Sequence, residues 1–287
     1  MFIKSINSWS FPGGLEGTLD PCDCILLAKQ YRFPAVEIGI GSENTAFGLN
    51  ATREQCSNIL EFAAQNGIRI ASAASGIYWS RSLADETEQN RKAAFEDLER
   101  LIEISGWLKV KTLLVIPGAV DVFFMPERQP LDYQHVWNHA TEGIKQAVPI
   151  AQRHNVRIGI ENVWNRFLMS PNEMLQFIEQ LNSPFVGAYL DVANVLPFGY
   201  PEQWLRILGK HVVGVHFKDF RRSVGTADGF VDLLEGDVNW PAVVAALKAI
   251  EYEGPIVAEM IPPYKHHPLV RIANTSNAMD AILTESS

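Results

Sequence analysis

The chain has 287 residues, with 24 Lys and Arg against 33 Asp and Glu, for a formal net charge of −9. A hydrophobic share of 47% and a charged share of 20% exclude a disordered chain and provide for a large core. The acidic balance excludes wholesale binding to nucleic-acid backbones, though not a local anion site.

The opening residues Met1–Asn7 lack the long apolar stretch of a signal peptide. No apolar run approaches the roughly 18 residues of a membrane span, so a soluble, cytoplasmic protein is expected. Cys22, Cys24 and Cys56 are too few and too clustered for a disulfide framework. Cys22-Asp-Cys24 has no second pair downstream, and reduced thiols on helices are expected instead of a metal site.

Short apolar runs alternate with longer amphipathic ones along the whole chain. Ile3–Ser5 precedes a helical pattern at Pro21–Tyr31, and Ala35–Ile38 precedes one at Arg53–Asn66. Arg69–Ala73 is followed by Asp85–Ser105, Thr112–Ile116 by Tyr133–His154, and Arg157–Glu161 by Pro171–Leu181. Val186–Asp191, Val212–His216 and Ile256–Glu259 are followed by Pro201–Leu208, Pro241–Ile250 and Val270–Leu283. The short runs are rich in β-branched residues, as strands buried on both faces should be. Thr52-Arg53-Glu54-Gln55 is a capping-box pattern, Ser170-Pro171-Asn172-Glu173 adds Pro in the first turn, and Asn66-Gly67 is a helix stop.

Eight strand–helix units with short connections predict an α/β fold, a (β/α)8 TIM barrel formed by residues 1–287 as one domain. An open doubly wound sheet competes, but no Gly-x-Gly-x-x-Gly follows the first run. No linker, low-complexity tract or internal repeat is visible.

In such a barrel, chemistry sits at the C-terminal ends of the strands. The last four runs finish in Glu161, Asp191, His216 and Glu259, each directly after apolar residues. Any one of these alone reads as a capped or salt-bridged strand end. Four on adjacent strands place three carboxylates together, and a divalent cation is the simplest way to offset their repulsion. Three oxygen donors and one nitrogen suit Mn²⁺ or Mg²⁺ best, with Co²⁺ or Zn²⁺ as alternatives.

The segment Glu161-Asn162-Val163-Trp164-Asn165-Arg166-Phe167-Leu168-Met169-Ser170-Pro171 resembles the fifth-strand region of the xylose-isomerase-like sugar (phosphate) isomerase/epimerase family. So do Leu190-Asp191-Val192-Ala193-Asn194, Val215-His216-Phe217-Lys218-Asp219-Phe220, Leu234-Glu235-Gly236-Asp237-Val238-Asn239-Trp240 and Val257-Ala258-Glu259. The resemblance covers nearly the whole chain. It implies a barrel holding one divalent metal on Glu161, Asp191, His216 and Glu259, with the two glutamates also moving protons. The chain departs from the ketose 3-epimerase branch in two places: Asn194 stands where that branch has His, and Leu168 stands near where it has Glu.

The expected chemistry is deprotonation next to a substrate carbonyl, giving an enediolate, followed by reprotonation. Return of the proton to the opposite face of the same carbon epimerises; return to the neighbouring carbon isomerises. The substrate is then a small sugar or sugar phosphate, bound without nucleic acid or membrane, by a monomer or a homo-oligomer. The closest rival is an inosose-type dehydratase acting on a cyclic keto-polyol, which begins with the same proton abstraction. A metal-dependent phosphoesterase would need more His ligands and a basic groove, and a non-catalytic binding barrel would have no use for four buried ligands.

Lys218, two residues after His216, is expected either to meet an anionic substrate or to pair with Asp219 or another loop carboxylate. Arg221 and Arg222 lie in the same loop, and one of them, Arg222 for preference, is a candidate for a phosphate or sugar oxygen. Lys265-His266-His267 is read as a solvated loop before a phosphate rim. Trp9, Trp79, Trp164 and Phe123-Phe124 fall in loops after strands and can wall a sugar site, Trp9 and Trp164 foremost, with core packing as the plain alternative. Asn162 and Asn194 can orient ligands or substrate hydroxyls, and Glu37 can support a group behind the ligands or form a structural ion pair.

Overall fold

The computed structural model describes residues 1–284. Its strands are β1 (Phe2–Asn7), β2 (Ala35–Gly39), β3 (Arg69–Ala74), β4 (Thr112–Val115), β5 (Arg157–Glu161), β6 (Val186–Asp191), β7 (Val212–Phe217), β8 (Asp219–Phe220), β9 (Phe230–Val231) and β10 (Gly254–Ala258). Eight of them close into a barrel in the order β1-β10-β7-β6-β5-β4-β3-β2, and every pairing is parallel. β8 and β9 form a two-stranded antiparallel ribbon in the loop after β7.

The helices are α1 (Pro21–Gln30), α2 (Arg53–Gln65), α3 (Glu88–Trp107), α4 (Tyr133–His154), α5 (Pro171–Gln180), α6 (Val192–Val195), α7 (Pro201–Leu208), α8 (Trp240–Ala249) and α9 (Pro268–Thr284). They follow the strands around the ring, α1 against α2, α2 against α3, α3 against α4, α7 against α8 and α8 against α9. The fold is the expected (β/α)8 barrel. Among the described residues no helix is long and apolar enough to cross a membrane.

Local chemistry sets the boundaries. Thr52 Oγ1 accepts from the Gln55 amide while Thr52 N donates to the Gln55 side chain, closing the capping box at α2. Ser170 caps α5 by accepting from Glu173 N. α3 starts at Glu88 and not at Asp85, because the Asp85 carboxylate accepts from Thr87 N and Asn90 Nδ2 outside the helix and Thr87 becomes the cap. α9 starts at Pro268, ahead of the expected Val270. The last barrel strand ends at Ala258, so Glu259 sits just beyond it, its amide still donating to Phe217 O. The three cysteines are free thiols on α1 and α2.

Helices cover the outer face of the strands and side chains fill the interior, which is why residues such as Leu113, Val115, Ile158, Ile160, Leu190 and Val215 are buried. Each such side chain contributes about 1.5–3 kcal/mol by leaving water. Tyr189 is the largest fully buried side chain. A Cβ on Gly214 would lie 2.5 Å from the Tyr189 ring, so glycine on the neighbouring strand makes room for that ring.

Candidate active site

Glu161 ends β5, Asp191 ends β6, His216 is the penultimate residue of β7, and Glu259 follows β10. The barrel brings all four together, buried. One potential ligand atom from each lies within 4.8 Å of the others. His216 Nδ1 is 3.5 Å from Glu161 Oε1 and 3.8 Å from Glu259 Oε1, so both glutamates face the same nitrogen of the imidazole.

Asp191 is held from both sides. Its amide donates to Asn162 Oδ1 at 2.8 Å, and Asn162 Nδ2 donates to the Asp191 carbonyl at 2.9 Å. Its Oδ1 caps α6, accepting from the amides of Ala193 and Asn194 at 2.9 Å each. Oδ2 is left facing the cluster. Asn194 Nδ2 donates to the Asn162 carbonyl at 3.0 Å and Trp164 Nε1 to the Asn194 carbonyl at 3.0 Å. Asn162 and Asn194 therefore orient Asp191 through the backbone.

His216 is oriented from behind. Its Nε2 is 2.7 Å from Glu37 Oε1. Glu37 also accepts from Asn7 Nδ2 at 2.6 Å, Ser72 Oγ at 2.6 Å and Tyr189 OH at 2.5 Å. Burial would raise the Glu37 carboxyl, but His216 and these donors outweigh it and hold it below the ordinary range. An ionised Glu37 only accepts, so Nε2 carries the donated proton and Nδ1 turns to the carboxylates. Burial would lower His216, but the Glu259 and Glu37 charges outweigh it and raise the imidazole well above its usual range. Burial and Glu259 push Glu161 up to about 7, against the pull of His216 and Lys218.

Lys218 joins this group. Its ammonium contacts Glu259 Oε2 and lies 3.0 Å from Asp191 Oδ2. Burial would lower it, but the Asp191, Glu259 and Glu161 charges hold it above the usual ammonium range. Lys218 thus pairs with carboxylates of the cluster and not with Asp219. Asp219 instead accepts from the amides of Phe220, Leu234 and Val238 and from Trp240 Nε1, which folds the following loop around it.

His216 Nδ1 and Asp191 Oδ2 are buried without a hydrogen-bond partner. The Lys218 ammonium, 3.0 Å from Asp191 Oδ2, balances its charge. Once the imidazole gives up its Nδ1 proton, this nitrogen, Asp191 Oδ2 and the two glutamates form a donor set that fits a divalent cation.

The other candidates divide. Arg221 donates to the Glu235 carbonyl at 2.9 Å; Arg222 donates to the Gly199 carbonyl at 2.9 Å and lies over the Tyr200 ring. Lys265, His266 and His267 are exposed, as a solvated loop should be. Trp164 is ringed by Phe123, Phe198, Phe220 and Phe230, and Phe123 continues through Phe124 to Trp79. Trp9 and Trp79 line a cavity of about 630 Å³ at the ends of β1, β2 and β3. Sequence reasoning passed over Asn7, Ser72 and Tyr189; the available signal was a polar residue at the C-terminal end of β1 and within the buried parts of β3 and β6.

Residues 25–280 match the family model described as xylose isomerase-like TIM barrel. L-ribulose-5-phosphate 3-epimerase UlaE of Salmonella paratyphi C is 24% identical over 275 residues, 94% of this chain and 93% of that protein. The solved D-psicose 3-epimerase of Clostridium cellulolyticum H10, crystallised with D-tagatose, superposes with a TM-score of 0.78 at 17% identity, covering 98% of this chain and 99% of the other. The IOLI protein, whose structure has a binding zinc atom, superposes with a TM-score of 0.78 at 14% identity over 99% of both chains.

Proposed function

The chain belongs to the xylose isomerase-like TIM barrel family, and we propose that it is a divalent-metal-dependent sugar epimerase or isomerase. The observation that carries this reading is the convergence of Glu161, Asp191, His216 and Glu259 with two of their buried donor atoms unsatisfied. The epimerase names of relatives such as UlaE support it. The four residues are the proposed ligands of Mn²⁺ or Mg²⁺. A cation there, when bound, supplies Lewis acidity toward a substrate carbonyl and its neighbouring hydroxyl.

The remaining work falls to side chains of this chain. Glu161 and Glu259 both lie beside His216 Nδ1 and act as the proton-transfer pair on the carbon beside the carbonyl. Epimerisation results when one glutamate removes the proton from one face of that carbon and the other returns a proton to the opposite face. Glu37 fixes the imidazole, and Asn162 and Asn194 fix Asp191, so that the geometry is set before substrate arrives.

The test is turnover in deuterated water with a panel of ketoses and ketose phosphates, after metal analysis of the purified protein. Deuterium at the carbon next to the carbonyl in epimerised product is the expected result. A protein that binds no divalent metal and epimerises no member of the panel would refute the reading.

A further inference from the structure

A second cavity, of about 660 Å³, lies at the end of the barrel opposite the metal-ligand cluster. Arg157 is the first residue of β5, Ser183 and Pro184 precede β6, and Lys210 and His211 precede β7, so the cavity sits where these strands begin. Glu161 lies at the far end of β5, about 13 Å along the strand at roughly 3.3 Å per residue. A Cβ on Gly187 would lie 2.5 Å from the His211 carbonyl oxygen, so glycine on β6 lets the segment with Lys210 and His211 close onto that strand.

The lining is positive in a chain whose net charge is −9. Arg157 is half-buried, yet its guanidinium makes no hydrogen bond or ion pair with any described residue, and neither does the exposed Lys210 ammonium. The one carboxylate of the lining is Glu179. It stands 3.8 Å from His211 Nε2, beyond hydrogen-bond reach, and so is set against the imidazole. Lys111, whose carbonyl accepts from Arg157 N, adds an exposed, unpaired cation beside the cavity. Glu251 and Glu253 line a separate cavity on the β1–β10 side, where Glu253 holds the N-terminal ammonium. Lys210 and His211 follow the C-terminal end of α7, whose dipole favours cations there. That accounts for these two residues and leaves Arg157, a strand residue with five N–H donors, without a partner.

An oxyanion supplies that partner. The planar guanidinium matches two oxygens of a phosphate, and Lys210 adds a second full charge. The Asn182 amide makes no hydrogen bond with a described residue, and Ser183 Oγ accepts from Phe185 N, which leaves its O–H to donate. Ile178, Val186 and Val213 give the lining an apolar side. The volume lies within the range, about 300–1,000 Å³, of sites that enclose a whole small molecule, and exceeds what a bare phosphate ion fills.

We propose that this cavity is a second binding site, separate from the metal-ligand cluster, and that it takes a small organic phosphate. The phosphate sits on Arg157 and Lys210, and the carbon part lies against Val186 and Val213. The proposal stands independently of the epimerase reading.

Calorimetric titration of the purified protein, both metal-loaded and chelator-stripped, tests it with glycerol 3-phosphate, inorganic phosphate and glycerol as probes. Glycerol 3-phosphate should bind in both forms, several-fold tighter than inorganic phosphate, and glycerol should not bind. A charge-assisted contact is worth about ten- to a hundredfold in binding. Arg157→Gln and Lys210→Gln should therefore each weaken glycerol 3-phosphate at least about tenfold while metal content stays at the wild-type value. Lys210 is exposed, so Lys210→Gln tests the site even where Arg157→Gln disturbs the packing of β5. Binding that vanishes with the metal and survives in both variants would place the phosphate at the cluster and overturn the proposal. Equal affinity for the two phosphates would overturn the organic ligand, and no binding of either at millimolar concentration would overturn the site.

Discussion

Glu37 and His216, 179 positions apart in sequence, meet at 2.7 Å inside the barrel, and this contact settles which imidazole nitrogen faces the cluster. Glu37 is fully buried and takes three further hydrogen bonds, so it cannot turn away. Glu37→Gln keeps the shape and removes the charge. Metal affinity should fall about 10- to 100-fold, as for other residues that support a ligand histidine. Competition with a calibrated chelator measures it. Unchanged affinity would mean that Glu37 serves only the barrel interior.

Glu161→Gln and Glu259→Gln each remove one member of the proposed proton-transfer pair. Turnover should drop by about 10²–10⁴-fold in either variant. Part of that can come from lost metal, so occupancy is measured alongside. A variant with full metal and wild-type turnover would show that its glutamate moves no proton.

Lys218 offsets the carboxylates in the metal-free cluster. Lys218→Met leaves Asp191 and Glu259 buried without their cation. Removing one partner of a buried ion pair costs about 3–5 kcal/mol, so the metal-free variant should melt several degrees below the wild type. A bound divalent cation replaces the missing charge, so the rise in Tm on adding metal should be larger in the variant than in the wild type. Equal metal-induced shifts would show that Lys218 and the cation do not share this role.

Gly236 lets the loop after β7 close onto Asp219. A Cβ at this position would lie 2.1 Å from Asp219 Oδ1. Gly236→Ala should destabilise by about 1–3 kcal/mol through the forced shift, read as a lower Tm. It should also weaken substrate binding, because the same loop begins beside Lys218. Asp219→Asn should also lower Tm, since Oδ1 accepts from the Phe220 and Val238 amides and Oδ2 from Leu234 N and Trp240 Nε1, and an NH2 in place of either oxygen faces two donors.

The sequence by itself determined the architecture. Alternation of short β-branched runs with longer amphipathic ones placed all eight barrel strands, and Val186–Asp191 and Arg157–Glu161 match the structure to the residue. Glu161, Asp191, His216 and Glu259 were legible because each ends an apolar run, and parallel strands in one barrel expose those ends on one face. Thr52 and Ser170 were legible because capping is local. Tertiary structure alone decided the contacts made across the ring. Glu37 reaches His216 from the far side of the barrel, Tyr189 reaches Glu37 through a space opened by Gly214, and Lys218 turns to Asp191 and Glu259 while Asp219 turns to its own loop. The periodicity of a strand says which residues point inward, but the stagger and tilt of the closed sheet decide which of them meet.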